Sequence, residues 1–276
     1  MKEQFKICDI TINYCREYED SHINEDLLLF KSNSHTNDME FILRKVNSID
    51  YPKECLNMDS FFYSYSCSNK GNYFWNNRWK HAIMKSSADW SKSTIYTTEK
   101  MDDIVEGNFL LSAVQSRLSY LNGFMMHGSV VGYKGYGIVF TAGCGVGKST
   151  QANLWVEHEG AEIINGDKAF IRHYQKETKV YGSIWSGSSP YVKNIDVPLK
   201  AIVVLEQGTE NKIRKLSELE AIELFGTHVY YPYWEKKLVS LVLDTVGLII
   251  KDIPIYLLSC KPDKDAVNLV KETLFS

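Results

Sequence analysis

The chain has 276 residues, 44% hydrophobic and 24% charged, with a formal net charge of -3. That is enough apolar chain for one or two domains with a substantial core, and it offers no basic surface for nucleic acid or a membrane. Six cysteines stand without a Cys-x-x-Cys pair, which argues against a zinc ribbon or a disulfide framework. A polar start after Met1 and the lack of any apolar run of about 18 residues predict a cytoplasmic protein.

Residues 1–100 alternate short apolar runs with Asn, Ser and Asp: Phe5–Ile12, Leu27–Phe30, Phe41–Leu43, Phe61–Ser66, Tyr73–Trp75 and Ser93–Tyr96. Aromatic and β-branched runs broken by turn formers predict a β-rich region. Leu110, Leu111, Val114, Leu118 and Leu121 then recur at helical spacing, predicting a helix over 105–122. The first region is thus 1–122 and a nucleotide-binding domain follows over 123–276. Met126 to Val131, a turn at Tyr133-Lys134-Gly135 and the run Gly137–Phe140 read as a hairpin.

That hairpin delivers the chain to Ala142-Gly143-Cys144-Gly145-Val146-Gly147-Lys148-Ser149-Thr150. A buried strand before it and a mixed helix closing at Gly160 after it are the context of a P-loop. Gly143, Cys144, Gly145, Val146, Gly147 and Thr150 are read as the backbone cradle for the phosphates of a nucleotide. Lys148 reaches the terminal phosphates and the Ser149 hydroxyl ligates the accompanying metal. The first motif position is Ala142 in place of Gly, a one-methyl change at the loop entry.

Downstream, Glu162–Asn165 reads as a short strand ending at Gly166-Asp167, with further strands at Val180–Trp185, Lys200–Glu206 and Ile255–Leu258. Leu216–Phe225, Trp234–Ile250 and Asp263–Leu274 have helical spacing. Gln207–Lys215 reads as a solvated hairpin turn carrying Lys212, Arg214 and Lys215. A crossover from the P-loop helix returns the end of the Glu162–Asn165 strand to the loop. Asp167 there is placed to ligate Mg²⁺ or to accept a proton from an attacking hydroxyl. Glu206 competes as a strand-end carboxylate, whereas Asp244 falls on the solvated side of a helix. His127 alone reads as a structural histidine. The aromatics Trp185, Tyr191, Tyr230, Tyr231, Tyr233 and Trp234 read first as core and second as an acceptor surface.

The series Met126-His127-Gly128, Gly135-Tyr136-Gly137-Ile138, Gly143 to Ser149 and Asn165-Gly166-Asp167 resembles the catalytic domain of HPr kinase/phosphorylase. It resembles more closely the smaller kinase-like proteins related to that family, some of which phosphorylate ribosomal peptides such as lasso-peptide precursors. The resemblance covers about 125–205 well and 206–276 loosely. It implies an α/β fold with a phosphoenolpyruvate-carboxykinase-like P-loop core, joined here to the β-rich N-terminal region. By position it makes His127 an active-site histidine, Asp167 the catalytic base and a metal ligand, and Lys148 and Ser149 the holders of phosphate and Mg²⁺. Gly166 stands where that family has the first Asp of a pair, and Ser186 and Gly187 stand where its later metal-binding Glu is expected.

The activity so implied is an ATP-dependent kinase that moves the γ-phosphoryl group to a hydroxyl, Ser above all, of a peptide or small protein. ATP and Mg²⁺ are its cofactors. No nucleic-acid or membrane partner is expected, and a homo-oligomer stays open. A small-molecule hydroxyl kinase and a non-catalytic nucleotide-binding accessory of peptide maturation are the competing readings. A transporter ATPase is disfavoured, since no LSGGQ-like run follows.

Overall fold

The computed structural model describes residues 2–17, 23–52, 56–59, 63–68, 71–100, 104–175 and 177–276, with the backbone alone for 56–59 and Ser68. The chain divides into two units, Met1–Leu121 with Pro232–Ser240, and Asn122–Tyr231 with Leu241–Ser276. Among the described residues, no helix is long and apolar enough to cross a membrane.

The first unit is built on an eight-stranded sheet in the order β1-β2-β3-β8-β7-β6-β5-β4. Its strands are β1 (Lys2–Ile7), β2 (Ile10–Arg16), β3 (Met39–Lys45), β4 (Leu56–Asp59), β5 (Tyr63–Ser68), β6 (Gly71–Asn76), β7 (Ala82–Ser86) and β8 (Lys92–Thr97). The apolar run Phe5–Ile12 is not one strand. Cys8 and Asp9 both take positive φ, 54° and 56°, and fold it into a two-residue hairpin with Ile7 opposite Ile10. Leu27–Phe30 corrects a second expectation. It lies in and just after a short helix, α1 (Glu25–Leu28), which Asn24 starts by accepting a hydrogen bond from the Asp26 amide at 2.8 Å. Phe61 and Phe62 lie outside the described residues. A π-helical stretch, Val105–Leu110, runs into α2 (Leu111–Ser119).

The second unit carries a ten-stranded sheet whose main path is β12-β10-β11-β15-β14-β13-β9-β17, with β18 paired to β15 and β16 to β18. These strands are β9 (Gly123–His127), β10 (Ser129–Tyr133), β11 (Tyr136–Thr141), β12 (Glu162–Asn165), β13 (Lys168–His173), β14 (Thr178–Tyr181), β15 (Asp196–Gln207), β16 (Lys212–Lys215), β17 (Val229–Tyr230) and β18 (Ile255–Cys260). β11, β15 and β18 run parallel. β12 lies antiparallel to β10, as β10 does to β11, so β12 and β11 end on the same side.

Side chains of β11 alternate between two buried clusters, as a two-sided strand must. Ile138 and Phe140 join Ala152, Trp155, Val267 and Val270. Those four belong to α3 (Lys148–Glu159) and α6 (Lys264–Phe275). Val139 instead meets Phe225, Val242 and Ile249, from α4 (Glu218–Phe225) and α5 (Lys236–Asp252). Lys148, Gln151, Ala152 and Trp155, at helical spacing, form the buried stripe of α3.

Two strand readings shift. The run Val180–Trp185 leaves the ladder after Tyr181, because the buried Asn165 carboxamide donates to Ser183 O at 3.3 Å and Trp185 O at 3.4 Å. Of the expected turn Gln207–Lys215, Lys212–Lys215 pairs with β18 as strand β16.

Candidate active site

The glycine-rich loop 142–147 leaves β11 and enters α3 through Gly147, whose φ of 126° only glycine adopts without strain. Lys148, the first residue of α3, is 8% exposed. Its Nζ donates to Ala142 O and Gly143 O, each at 3.0 Å. Burial lowers the Lys148 pKa against the raising influence of Cys144 and Asp167. The ammonium is therefore held low in the loop, poorly hydrated, and its charge is felt by anything placed above it.

Asp167 follows β12 in a tight turn that Asn165 organises. The Asn165 Oδ1 accepts from the amides of Asp167 at 3.0 Å and Lys168 at 2.9 Å. Two further bonds dock this turn onto the β9–β10 junction. Gly128 N donates to Asp167 O at 2.9 Å, and Ser129 Oγ donates to Gly166 O at 3.0 Å. The carboxylate is engaged from both sides: Oδ2 lies 2.7 Å from Lys168 Nζ and Oδ1 lies 3.2 Å from His127 Nδ1.

His127 ends β9, and its carbonyl accepts from Thr141 Oγ1 at 2.6 Å at the foot of the phosphate loop. Its Nδ1 faces two acceptors, Asp167 Oδ1 and, at 3.3 Å, Asp167 O. The proton of the neutral ring therefore sits on Nδ1. Burial lowers the His127 pKa first and the Lys148 charge second, outweighing the nearby Asp167 carboxylate. His127 is thus a neutral donor to Asp167.

One cavity of about 440 Å³ is lined by His127, Lys148, Ser149 and Asp167 together. Cys144 and Gly145 also line it, so part of the phosphate loop opens into it. Glu206 is exposed at the end of β15 and Asp244 is exposed on α5; neither lines the cavity. Among the described residues, no cluster of three or more His, Cys, Asp or Glu forms a ready metal cage.

Ser188, Ser189, Pro190 and His228 carry no signal in the linear sequence, whereas Gly166 and Gly187 stand out there as departures from the family pattern and Tyr191 and Tyr230 as aromatics. Gly166 leaves its space to the next loop: a Cβ there would sit 2.0 Å from Ser189 Oγ. Ser188, Ser189, Pro190 and Tyr191 line the same cavity. Gly187, at φ 64°, lies so close over the carboxylate that a Cβ would be 2.6 Å from Asp167 Oδ2. His228 and Tyr230 arrive through β17, which pairs with β9 at Val229–Met126 and Tyr230–Met125. Burial lowers the His228 pKa, with His127 and Lys148 adding to the effect. The Tyr230 ring stands edge-on to His127 at 6.3 Å. Its hydroxyl pKa is raised by burial and then by Asp167. Lys168 was readable only as the neighbour of Asp167.

No family model matches the sequence, and no curated protein matches it. Among solved structures the chain is similar to the HPr(Ser) kinase/phosphatase from Coxiella burnetii, at 11% identity and a TM-score of 0.32. The match covers 54% of this chain and 92% of that one. A likeness at this level says nothing of activity, and the functional reading rests on the cavity's own residues.

Proposed function

We propose that the chain is an ATP-dependent kinase that transfers the γ-phosphoryl group to a hydroxyl, Ser above all, of a peptide or small protein. The observation that carries the reading is the shared cavity, in which the buried Lys148 ammonium and Ser149 meet the Asp167 carboxylate and the neutral His127. Phosphoryl transfer asks little covalent chemistry of a protein. It needs phosphates held in place, charge neutralised, and a base beside the attacking hydroxyl. The loop amides and Lys148 serve the first two needs. Asp167 serves as the base, kept in place by the His127 Nδ1–H and the Lys168 ammonium.

Ser149 and Asp167 would hold Mg²⁺ together with phosphate oxygens and water, a donor set of hydroxyl and single carboxylate that suits this cation. When bound, the ion supplies charge neutralisation at the transferring group. The acceptor hydroxyl would enter beside Asp167, in the cavity that Ser189 and Tyr191 also line.

The test is transfer of label from γ-labelled ATP with Mg²⁺ to Ser-containing peptides and small proteins, with Asp167→Asn in parallel. Label on an acceptor with the native chain, and none with the variant, is the expected outcome. Full transfer by Asp167→Asn removes the base assignment. Binding of ATP without transfer to any hydroxyl favours a nucleotide-binding accessory.

A further inference from the structure

A second cavity, of about 330 Å³, opens on the other flank of the phosphate loop. Val146, Leu205 and Pro262 give it apolar walls, and Thr150, Gln151 and Cys260 give it polar ones. Gly145 lines this cavity and the Asp167 cavity alike, so one elongated ligand can lie along the loop and reach both. Gly208 follows β15 and Pro262 follows β18, and both line it. The cavity thus sits beyond the carboxyl ends of β15, the parallel neighbour of β11, and of β18 on the far side of β15, where open α/β sheets bind ligands.

Gln151 is 2% exposed and lines the cavity from the first turn of α3. Its Nε2 donates to Cys260 Sγ at 3.4 Å. Burial pushes the Cys260 thiol pKa up, so the partner stays a neutral thiol. The Gln151 Oε1 is buried with no hydrogen-bond partner. A buried carbonyl without a donor is costly, and a water, an ion or a ligand that donates to it relieves that cost. The terminal torsion of a glutamine is soft, so a modest rotation turns Oε1 to the cavity.

We infer that this cavity takes the adenine end of the nucleotide whose phosphates the loop holds, with Gln151 Oε1 accepting from the exocyclic amine. The inference rests on the nucleotide reading above and goes beyond it by placing the base and naming the residue that reads it. No charged side chain lines this cavity. Guanine presents adjacent N–H donors that a carboxylate matches, whereas adenine presents one amine, which a neutral carboxamide oxygen matches. A flat base also suits apolar walls with few polar groups.

The experiment is calorimetric titration of the full chain with ATP, purine-riboside triphosphate (which lacks the 6-amino group), GTP and inorganic tripolyphosphate. ATP is expected to bind about tenfold more tightly than purine-riboside triphosphate and GTP, and more tightly than tripolyphosphate. In Gln151→Leu the preference for ATP over purine-riboside triphosphate is expected to vanish. Equal binding of ATP and tripolyphosphate overturns the cavity assignment and leaves the phosphate reading standing. Equal binding of ATP and purine-riboside triphosphate, or ATP binding no tighter than GTP, overturns the reading of the base by Gln151. Failure of every triphosphate to bind overturns the phosphate reading, and this inference with it. The nucleotide series on the native chain decides the matter even if Gln151→Leu does not fold.

Discussion

Lys148 and Asp167 face one cavity but answer to different chemistry. On the proposed reading the Lys148 ammonium, 8% exposed, would interact with phosphate in the bound complex as well as during transfer. Lys148→Ala is therefore expected to weaken ATP binding about ten- to hundredfold, the worth of a charge-assisted hydrogen bond of roughly 1.5–3 kcal/mol, and to lower turnover as well. Asp167→Asn preserves shape and removes the proposed base. Its ATP affinity should stay near the native value while turnover falls about 10²- to 10⁴-fold. Titration calorimetry and single-turnover label transfer separate the two.

The histidines give a second prediction at this scale. His127 and His228 both have pKa values below the ordinary 6.5, chiefly through burial. The unfolded chain then binds more protons than the folded one as pH falls below that value. Stability is fully present above pH 6.5 and declines as pH falls through the two lowered values. Carboxylates with lowered pKa, such as Glu159 and Asp263, begin to lose their contribution only nearer their ordinary values of 4.5 and 3.8. Urea midpoints should drop between about pH 7 and 5, and a double variant, His127→Asn with His228→Asn, should flatten that slope. A midpoint that rises toward acid contradicts the assignment.

At the scale of elements, the turn between β12 and β13 is the device that sets the Asp167 carboxylate. Asn165, 0% exposed, gives its oxygen to the Asp167 and Lys168 amides and its nitrogen to the chain at Ser183 and Trp185. Asn165→Ala leaves two half-buried amides and the Ser183 carbonyl short of partners. It should cost about 1–3 kcal/mol for each group left unsatisfied, read as a lowered midpoint in urea, and transfer should fall further than folding explains. Gly187→Ala attacks the same turn from above. Its left-handed φ already penalises a Cβ by roughly 1–2 kcal/mol, and the added methyl meets the Asp167 carboxylate. Turnover should fall while ATP affinity holds.

The strand–loop–helix arrangement around 142–150 was legible because it is local: strand, glycines, lysine and helix follow one another in sequence. The Lys134-Gly135 turn was legible for the same reason, both residues taking positive φ between Tyr133 and Tyr136. His228 was not, and Tyr230 was visible only as one aromatic among six, because only the pairing of β17 with β9 brings them to His127. Nor did alternation distinguish one strand from a hairpin at Phe5–Ile12, where the turn residues are Cys8 and Asp9. A run as short as Leu27–Phe30 fits strand or helix equally, and the Asn24 cap decided it.

At the scale of the whole molecule, Pro232–Ser240 belongs to the first unit although it follows the phosphate loop in sequence. Trp234 explains the return. Its ring lies 5.3 Å from that of Phe74, its Nε1 donates to Ser116 Oγ at 3.2 Å, and it is 8% exposed. Glu235 accepts from Trp90 Nε1 at 3.0 Å, and Leu238 is fully buried. α5 begins within this segment and continues into the second unit, where Val242, Val246 and Ile249 join its core. Cutting the chain at 121 therefore strands an indole, a carboxylate and a leucine that have lost their partners, at the start of a helix the second unit needs. Burying a Trp and a Leu contributes several kcal/mol by roughly 1.5–3 kcal/mol for each large side chain, comparable to the whole stability of a domain. Residues 122–276 produced alone are expected to melt well below the full chain, or to aggregate through the exposed Trp234. Replacing Trp234 and Leu238 with Gln in that fragment should restore solubility without restoring the melting temperature, since α5 then starts without a packed first turn. Calorimetry of the three forms checks this. A fragment 122–276 that melts at the temperature of the full chain refutes the dependence.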